Sequence, residues 1–200
     1  MGAVHRFRLA LTDFEALRRA REYLMTVDVA TDEFVFSEAA VGKRLTMAIR
    51  TSARDKVARV SEVVEWPRAA SDGWCKGFLA GIFDAEGSHG ECIRIANTDP
   101  AIIDWTTWCL RRLRFDFVLE RRARRNGLAY VRIRGGLSEQ LRFFHTVDPA
   151  ITRKRTITGK AIKSRARLDV VSIESVAGVQ QLFDITTGTG DFVSTEQGVE

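Results

Sequence analysis

Two acidic residues near the end of one predicted helix are the strongest chemical feature of this chain. Small residues recur at every fourth position, at Gly77, Gly81 and Ala85, so they share one helical face that a second backbone could approach closely. Asp84 and Glu86 fall in the last turn, where the helix dipole disfavours carboxylates by about 0.3–1 kcal/mol. We expect a divalent cation to offset this cost, which makes the helix end a candidate metal site.

The same stretch predicts where the helix begins and ends. Asp72 is a suitable N-cap, and Gly87 is a suitable residue to end the helix. Apolar residues fill in around the small-residue stripe. An ordinary buried helix with exposed acids near its end is the alternative interpretation.

The ten residues from Leu79 to Ser88 resemble the LAGLIDADG signature of homing endonucleases. The resemblance implies that this helix packs against its twin from a second repeat, so that one acid from each repeat meets the other over the scissile phosphates of DNA. Glu86 is the matching acid and the implied Mg²⁺ ligand, while Asp84 has the position that the family uses for packing and helix termination. In the family a lysine follows the last helix of the repeat, and Lys154 has that place here.

Composition and length favour a compact DNA-binding protein. The chain has 200 residues, of which 45% are hydrophobic and 28% are charged, which suits one large domain or one domain with an appendage. We find neither an apolar run approaching the ~20 residues that span a bilayer nor a signal peptide, so we expect a cytoplasmic protein with no membrane partner. The three cysteines lack paired spacing and predict neither a disulfide framework nor a zinc site.

Positive charge is concentrated in one part of the chain. The formal net charge is +5, but thirteen lysines and arginines lie between Arg111 and Arg155 against four acids. Such a segment can neutralise several phosphates of double-stranded DNA. A solvated basic face is the alternative.

An internal repeat decides the expected architecture. Residues 7–24 align with residues 93–110 at a constant offset of 86, and both stretches predict a strand, a Thr-Asp turn and a helix. Asp13 and Asp99 are the expected N-caps, and Pro100 suits the first helical position. Two alternating strands and a final helix follow each copy, at about 33–38, 44–50 and 53–65, and again at about 117–122, 129–134 and 137–146. The expected class is α/β (α+β), with antiparallel saddle sheets backed by helices.

Strand polarity indicates which sheet face meets DNA. In the second copy apolar residues alternate with arginines, and a face of arginines could lie in the major groove. The candidate DNA contacts on the strands and in the following loop are Arg94, Arg122, Arg132, Arg134, Arg153 and Arg155.

The first repeat departs from the family pattern. It begins directly with its strand, so the leading helix and the partner acid for Glu86 are missing from this sequence. Three explanations stay open: a start codon further upstream, a decayed remnant, or pairing of two chains through their Gly77, Gly81 and Ala85 stripes.

The C-terminal segment carries a second resemblance. Residues 170–193 resemble the end of an intein splicing (Hint) domain, but the terminal His-Asn pair and the N-terminal nucleophile block are missing, so no splicing residues are assigned. The expected divisions are a truncated first repeat at 1–70, a second repeat at 71–156, a basic linker at 157–168 and a short all-β Hint remnant at 169–200.

These patterns predict an intein-encoded homing endonuclease, or a fragment of one, that hydrolyses DNA phosphodiester bonds with Mg²⁺ at a long recognition site. The implied catalytic residues are Glu86 and Lys154. A DNA-binding protein with a degenerate LAGLIDADG fold that no longer cuts is the alternative, and a splicing element is a third.

Overall fold

The helices and strands of the chain form two similar series, each with a strand, a helix, two strands and a second helix in the same order. The computed structural model describes residues 5–121 and 127–160 of the 200 residues. The first series comprises β1 (Phe7–Leu11), α1 (Phe14–Thr26), β2 (Asp32–Ser37), β3 (Thr46–Thr51) and α2 (Arg54–Val64). The second comprises α3 (Asp72–Glu86), β4 (Gly87–His89), β5 (Ile93–Asn97), α4 (Pro100–Arg112), β6 (Phe117–Arg121), β7 (Ala129–Ile133) and α5 (Gly136–Val147), followed by a 3-10 turn at Thr152–Lys154.

Each series forms one antiparallel sheet. The first sheet has the order β1-β3-β2 and the second has the order β4-β5-β7-β6. In the second sheet Ile95 lies between Gly87 and Val131, so the apolar residues of neighbouring strands share the face that packs on helices. The antiparallel sheets and the mixed α+β class that the sequence predicts are therefore confirmed.

The larger core lies between the second sheet and helices α3, α4 and α5. Alternation along the strands and helical spacing along α3 direct apolar side chains to the same space. Phe83 and Phe143 are its largest fully buried side chains, and their rings meet edge to face at 5.6 Å between centroids. In the first repeat the buried apolar residues are fewer: Leu17, Val29, Ala48, Ile49 and Val60. The second repeat is thus the better-packed support for a site.

Aromatic rings gather where α3, α4 and the segment before α3 meet. The tryptophan cluster comprises Trp66, Trp74, Phe78, Trp105 and Trp108. Trp66 stacks on Trp105 with 5.6 Å between ring centroids, and its side chain remains 49% exposed. The cluster ties the segment between the repeats to the second repeat.

The predicted repeat is confirmed at the level of its elements. β1 and β5 begin and end at the same offset of 86 residues, as do α1 and α4. The later elements of the second repeat come slightly earlier because its connections are shorter. β4 and the 3-10 turn were not predicted from the sequence.

Other sequence expectations have separate outcomes. None of the helices in residues 5–121 and 127–160 is long and apolar enough to cross a membrane. Cys75 and Cys109 are free and buried, and Cys92 is free and partly buried. The Hint-like segment 169–200 and most of the linker 157–168 lie outside the described residues, and the domain limits remain predictions.

Candidate active site

Helix α3 positions the motif residues by burying one of its faces. Cys75, Leu79 and Phe83 recur at four-residue spacing and are fully buried in the core. Ser71 caps the start of the helix, and its Oγ accepts a hydrogen bond from the Trp74 amide at 3.1 Å. The predicted N-cap, Asp72, is wrong by one residue, because its carboxylate instead pairs with Arg112 of α4.

Gly87 ends α3, as predicted, but not through a left-handed conformation. Its φ is −78°, and its amide donates to the Phe83 carbonyl. A Cβ at this position would lie 2.2 Å from Cδ2 of Phe83 and 2.4 Å from the Phe83 carbonyl oxygen, far inside van der Waals contact. Glycine is therefore required by close approach, and the chain passes without a loop from α3 into β4.

Glu86 is exposed at this junction between helix and sheet. The next residue on the outer face of β4, Ser88, pairs with Arg94 of β5. Glu86 thus lies exposed where the motif helix meets the arginine-bearing sheet.

Lys154 reaches the same end of α3. Its Nζ donates to the Asp84 carbonyl at 2.6 Å and to the Phe83 carbonyl at 3.2 Å. A positive charge is favourable at a helix C-terminus, where the backbone carbonyls point outward. Burial and the neighbouring Arg153 lower the pKa of Lys154, while Asp84 and Glu86 act in the opposite direction. The two residues that the sequence selected as catalytic therefore lie at one helix end.

Asp84 is used structurally. Its carboxylate accepts hydrogen bonds from the amides of Ala150 at 2.7 Å and Ile151 at 3.0 Å. These contacts fix the loop that follows α5, and the loop carries Lys154. The expectation that a cation must offset both acids is thus incomplete, because two amides already bind Asp84 and an ammonium group lies at the helix end.

His89, at the end of β4, is a site neighbour that sequence reasoning missed. Its Nε2 lies 2.9 Å from Oε1 of the buried Gln140 and also contacts Nζ of Lys160. The imidazole hydrogen-bonds to the backbone of Lys154, and burial lowers its pKa. The sequence offered no signal for this contact, because β4 was not predicted.

The residues present fit one side of a Mg²⁺ site. Mg²⁺ is usually held by one or two carboxylates together with phosphate oxygens and water, and Glu86 can supply one such carboxylate. Within residues 5–121 and 127–160 there is no group of three or more His, Cys, Asp or Glu side chains that could hold a metal ion. The neighbouring acid, Asp84, already accepts hydrogen bonds from the amides of Ala150 and Ile151.

The predicted DNA-contacting arginines have different surroundings. Arg94 and Arg132 are cross-strand neighbours on the outer face of the second sheet. Arg94 is exposed, Arg132 pairs with Glu120 at 3.2 Å, and Arg134 lies 3.7 Å from Asp116.

The arginines of the following loop have partners as well. Arg153 binds Asp13 and Arg155 binds Asp148, whereas Arg122 lies outside the described residues. Whether any of these arginines contacts DNA remains a prediction.

The first sheet carries a comparable outer face. Arg8 lies over the ring of Phe36 at 4.8 Å, and Arg50 lies over the ring of Phe34 at 4.7 Å. Stacking on an aromatic ring holds a guanidinium group in place while its edge can still donate hydrogen bonds. Both sheets therefore present arginines on the face opposite their helices.

The small-residue stripe of α3 faces a cleft. Gly77, Gly81 and Ala85 are exposed, and a Cβ added at either glycine would meet no atom within 4 Å. The cleft has a volume of about 820 Å³ and is walled by β1 and α1 on one side and by α3 on the other. Within the described residues nothing packs on the stripe, so the predicted helix pairing is not made there.

Comparison with known proteins identifies the fold. No protein-family profile and no curated protein sequence matches the chain. Among solved structures, the chain is similar to I-DmoI in complex with DNA and Mn, with a TM-score of 0.55 and 16% identity over 71% of this chain and 80% of that chain. An I-DmoI complex with DNA and Ca gives the same TM-score and identity over 71% and 74%.

A second kind of protein has a similar structure. The N-terminal LAGLIDADG domain of DUF199/WhiA matches with a TM-score of 0.50 and 15% identity, over 72% of this chain and 70% of that domain. At such identities the likeness establishes the fold alone. The chain has the LAGLIDADG fold, which I-DmoI, a homing endonuclease, and the WhiA domain also have.

Proposed function

We propose that this protein binds double-stranded DNA across the outer faces of its two sheets and supplies one half of a Mg²⁺-dependent site that hydrolyses a phosphodiester bond. The observation that carries the proposal is the position of Glu86. It is exposed where α3 meets the arginine-bearing sheet, and Lys154 is bound to the same helix end.

The residues of the chain would divide the work of such a reaction. Arg94 and Arg132, with Arg8 and Arg50 on the other sheet, would neutralise phosphates and hold the duplex. Glu86 would be one carboxylate ligand of Mg²⁺, which when bound polarises a phosphoryl oxygen and makes water more acidic. Lys154 would place a positive charge beside the phosphate, where negative charge grows in the transition state.

The cleft beside α3 supports a further part of the proposal. An α-helix is about 10 Å across, and small residues on α3 would let its backbone come close. We propose that a helix supplied ahead of β1 fills the cleft and brings the second carboxylate to Glu86, because β1 itself forms one wall. A second copy of the chain is the alternative occupant, although its α3 would have to enter with its own repeat attached.

A DNA-binding protein that does not cut is the second candidate. The lack of a group of three or more metal-ligating side chains in the described residues favours it, and so does the likeness to the WhiA domain. The exposed Glu86 and the bound Lys154 favour the nuclease.

The origin of the protein in an intein is also a proposal. It depends on the resemblance of residues 169–200 to a splicing domain, and those residues lie outside the described part. If the proposal is right, the DNA target is the allele of the host gene that lacks the intein.

The decisive experiment incubates the full reading frame, with any upstream codons included, with a duplex carrying the intein-less allele. We expect Mg²⁺-dependent cleavage, a loss of about a hundredfold or more in Glu86→Gln, and no loss of DNA affinity in that variant. Glu65→Gln, an exposed acid at the end of α2, is the matched control. Cleavage that survives Glu86→Gln would overturn the assigned ligand, and salt-sensitive binding without nicking at any Mg²⁺ concentration would establish the second candidate.

A further inference from the structure

The loop that carries Lys154 is held by carboxylates from both repeats. Asp84 of the second repeat binds the amides of Ala150 and Ile151. The next two residues, Thr152 and Arg153, bind acids of the first repeat, and they directly precede Lys154. The loop is therefore fixed at four successive positions before the lysine.

The first-repeat contacts are specific hydrogen bonds. Asp13 accepts from Nε of Arg153 at 3.0 Å and from its Nη2 at 2.8 Å, the paired geometry of a guanidinium–carboxylate contact. Glu15 accepts from the Thr152 amide at 3.0 Å and from the Thr152 hydroxyl. Both carboxylates come from the start of α1.

Asp13 and its counterpart in the second repeat make different contacts, although both directly precede a helix. Its counterpart at the same repeat position, Asp99, caps α4 by accepting from the Ala101 amide at 2.8 Å. Asp13 makes no such cap bond, although a cap of this kind stabilises a helix. Its carboxylate instead binds Arg153 across the repeats, and it also lies 3.5 Å from Nη2 of Arg44 in its own repeat.

From these contacts we infer that Asp13 and Glu15 are positioning residues for the second repeat's site, which makes the site a composite of both repeats. They hold Thr152 and Arg153 so that Nζ of the next residue, Lys154, stays on the Phe83 and Asp84 carbonyls beside Glu86. The inference rests on the proposed function for the role of Lys154, but the placement of the lysine can be tested without cleavage.

A first-repeat acid outside this network provides a matched control. Asp55 lies in the first turn of α2, as Glu15 lies in the first turn of α1, and it is exposed. Replacing Asp55 removes one negative charge from the first turn of a helix, as replacing Glu15 does, but on an element that does not carry the 148–155 loop.

The experiment compares Asp13→Asn combined with Glu15→Gln against Asp55→Asn in the full chain. Hydrogen exchange reports on the amides of residues 150–155, and the nitrogen NMR signal of the unmodified Lys154 ammonium group reports on its hydrogen bonds. We expect exchange in the loop to rise about tenfold in the double variant, and the Lys154 signal to move to that of an exposed lysine. Exchange in β5 and β7 should be unchanged, and Asp55→Asn should alter neither readout.

A charge swap keeps the inference testable if the double variant loses its fold. Asp13→Arg alone should release the loop, and Asp13→Arg combined with Arg153→Asp should restore both its protection and the Lys154 signal. A loop and a lysine that stay as in the parent chain when Asp13 and Glu15 are replaced would overturn the inference, as would a swap that restores nothing. If cleavage is also measured, a positioning role requires the turnover rate to fall more than the DNA affinity.

Discussion

Asp84 and Glu86 are separated by one residue but lie in different surroundings. Asp84 is partly buried and binds two backbone amides of the loop after α5. Glu86 is exposed at the start of the second sheet. The first acid therefore fixes the loop, while the second is available to a ligand. Replacing Asp84 should lower the free energy of unfolding more than replacing Glu86 does.

Gly87 should be intolerant of any side chain. A Cβ there would overlap Phe83, which is fully buried and cannot move aside. We expect Gly87→Ala to lower the free energy of unfolding by about 1–3 kcal/mol, the usual cost of overpacking, as measured by urea denaturation. An unchanged midpoint would show that the junction of α3 and β4 can relax.

Glu120 should limit the affinity for DNA. Its pair with Arg132 is partly exposed and contributes at most about 1 kcal/mol to stability, but it places a negative charge on the proposed binding face. We expect Glu120→Gln to tighten duplex binding several-fold and to steepen its salt dependence by up to about one unit, as measured by fluorescence anisotropy. Glu62→Gln, which breaks a similar pair with Arg59 on α2, is the control, and an equal response of the two variants would contradict the assignment of this face.

At the scale of elements, α3 is a helix with one covered face and one open face. The core side buries Leu79 and Phe83, whereas Gly77 and Gly81 border the cleft. Glycine inside a helix costs about 0.5–1 kcal/mol relative to alanine. The two glycines therefore lower the stability of α3, and no contact within the described residues requires them.

Whether alanine at these positions raises or lowers the free energy of unfolding can show whether a helix fills the cleft. In the chain as described, Gly77→Ala and Gly81→Ala should each raise the free energy of unfolding by about 0.5–1 kcal/mol, because the added methyl group meets nothing. Chemical denaturation measures the change. Destabilisation by either variant would mean that another helix already packs on the stripe in solution.

Most elements could be predicted from local signals, and the exceptions have physical reasons. The constant offset between the repeats was sufficient to predict matching strands and helices. The Asp99-Pro100 pair was sufficient to predict the start of α4, because helix caps are local signals. β4 escaped prediction because three residues are too short to show alternation, and its pairing with β5 is decided by tertiary contact.

The site was only partly predictable for the same reason. The motif pointed to Glu86, and the resemblance to the family pointed to Lys154. Neither indicated that Asp84, Asp13 and Glu15 fix the loop between them, because such contacts join residues up to 140 positions apart. The open stripe also could not be inferred from spacing, since close packing and exposure have the same sequence pattern.

For the whole molecule, charged contacts join the two repeats. Asp13 and Glu15 reach the loop after α5, and Arg19 binds the carbonyl and the carboxylate of Asp148. Apolar burial is concentrated in the second repeat. The attachment of the first repeat should therefore respond to pH and salt more than the core of the second does.

Acid should loosen this attachment. The hydrogen bond from Arg153 lowers the pKa of Asp13, and hydrogen bonds from Thr152 lower the pKa of Glu15, from ordinary values of 3.8 and 4.5. Their stabilising contribution is full above those values and is lost as pH falls through the lower folded values. We expect the melting temperature to fall from about pH 4.5 downward, less steeply in Asp13→Asn combined with Glu15→Gln, as followed by circular dichroism. Identical slopes in parent and variant would show that these carboxylates do not report on the attachment.

The tryptophan cluster determines which part of the chain tryptophan fluorescence reports on. All four tryptophans of the chain belong to it, and the first repeat contains none before Trp66. Tryptophan fluorescence therefore monitors the helical side of the second repeat together with Trp66, and it has no reporter in β1, α1 or the first sheet. Melting of the first sheet that left Trp66 stacked on Trp105 would leave the tryptophan emission unchanged, so a single sharp fluorescence transition would not demonstrate that the two halves unfold together.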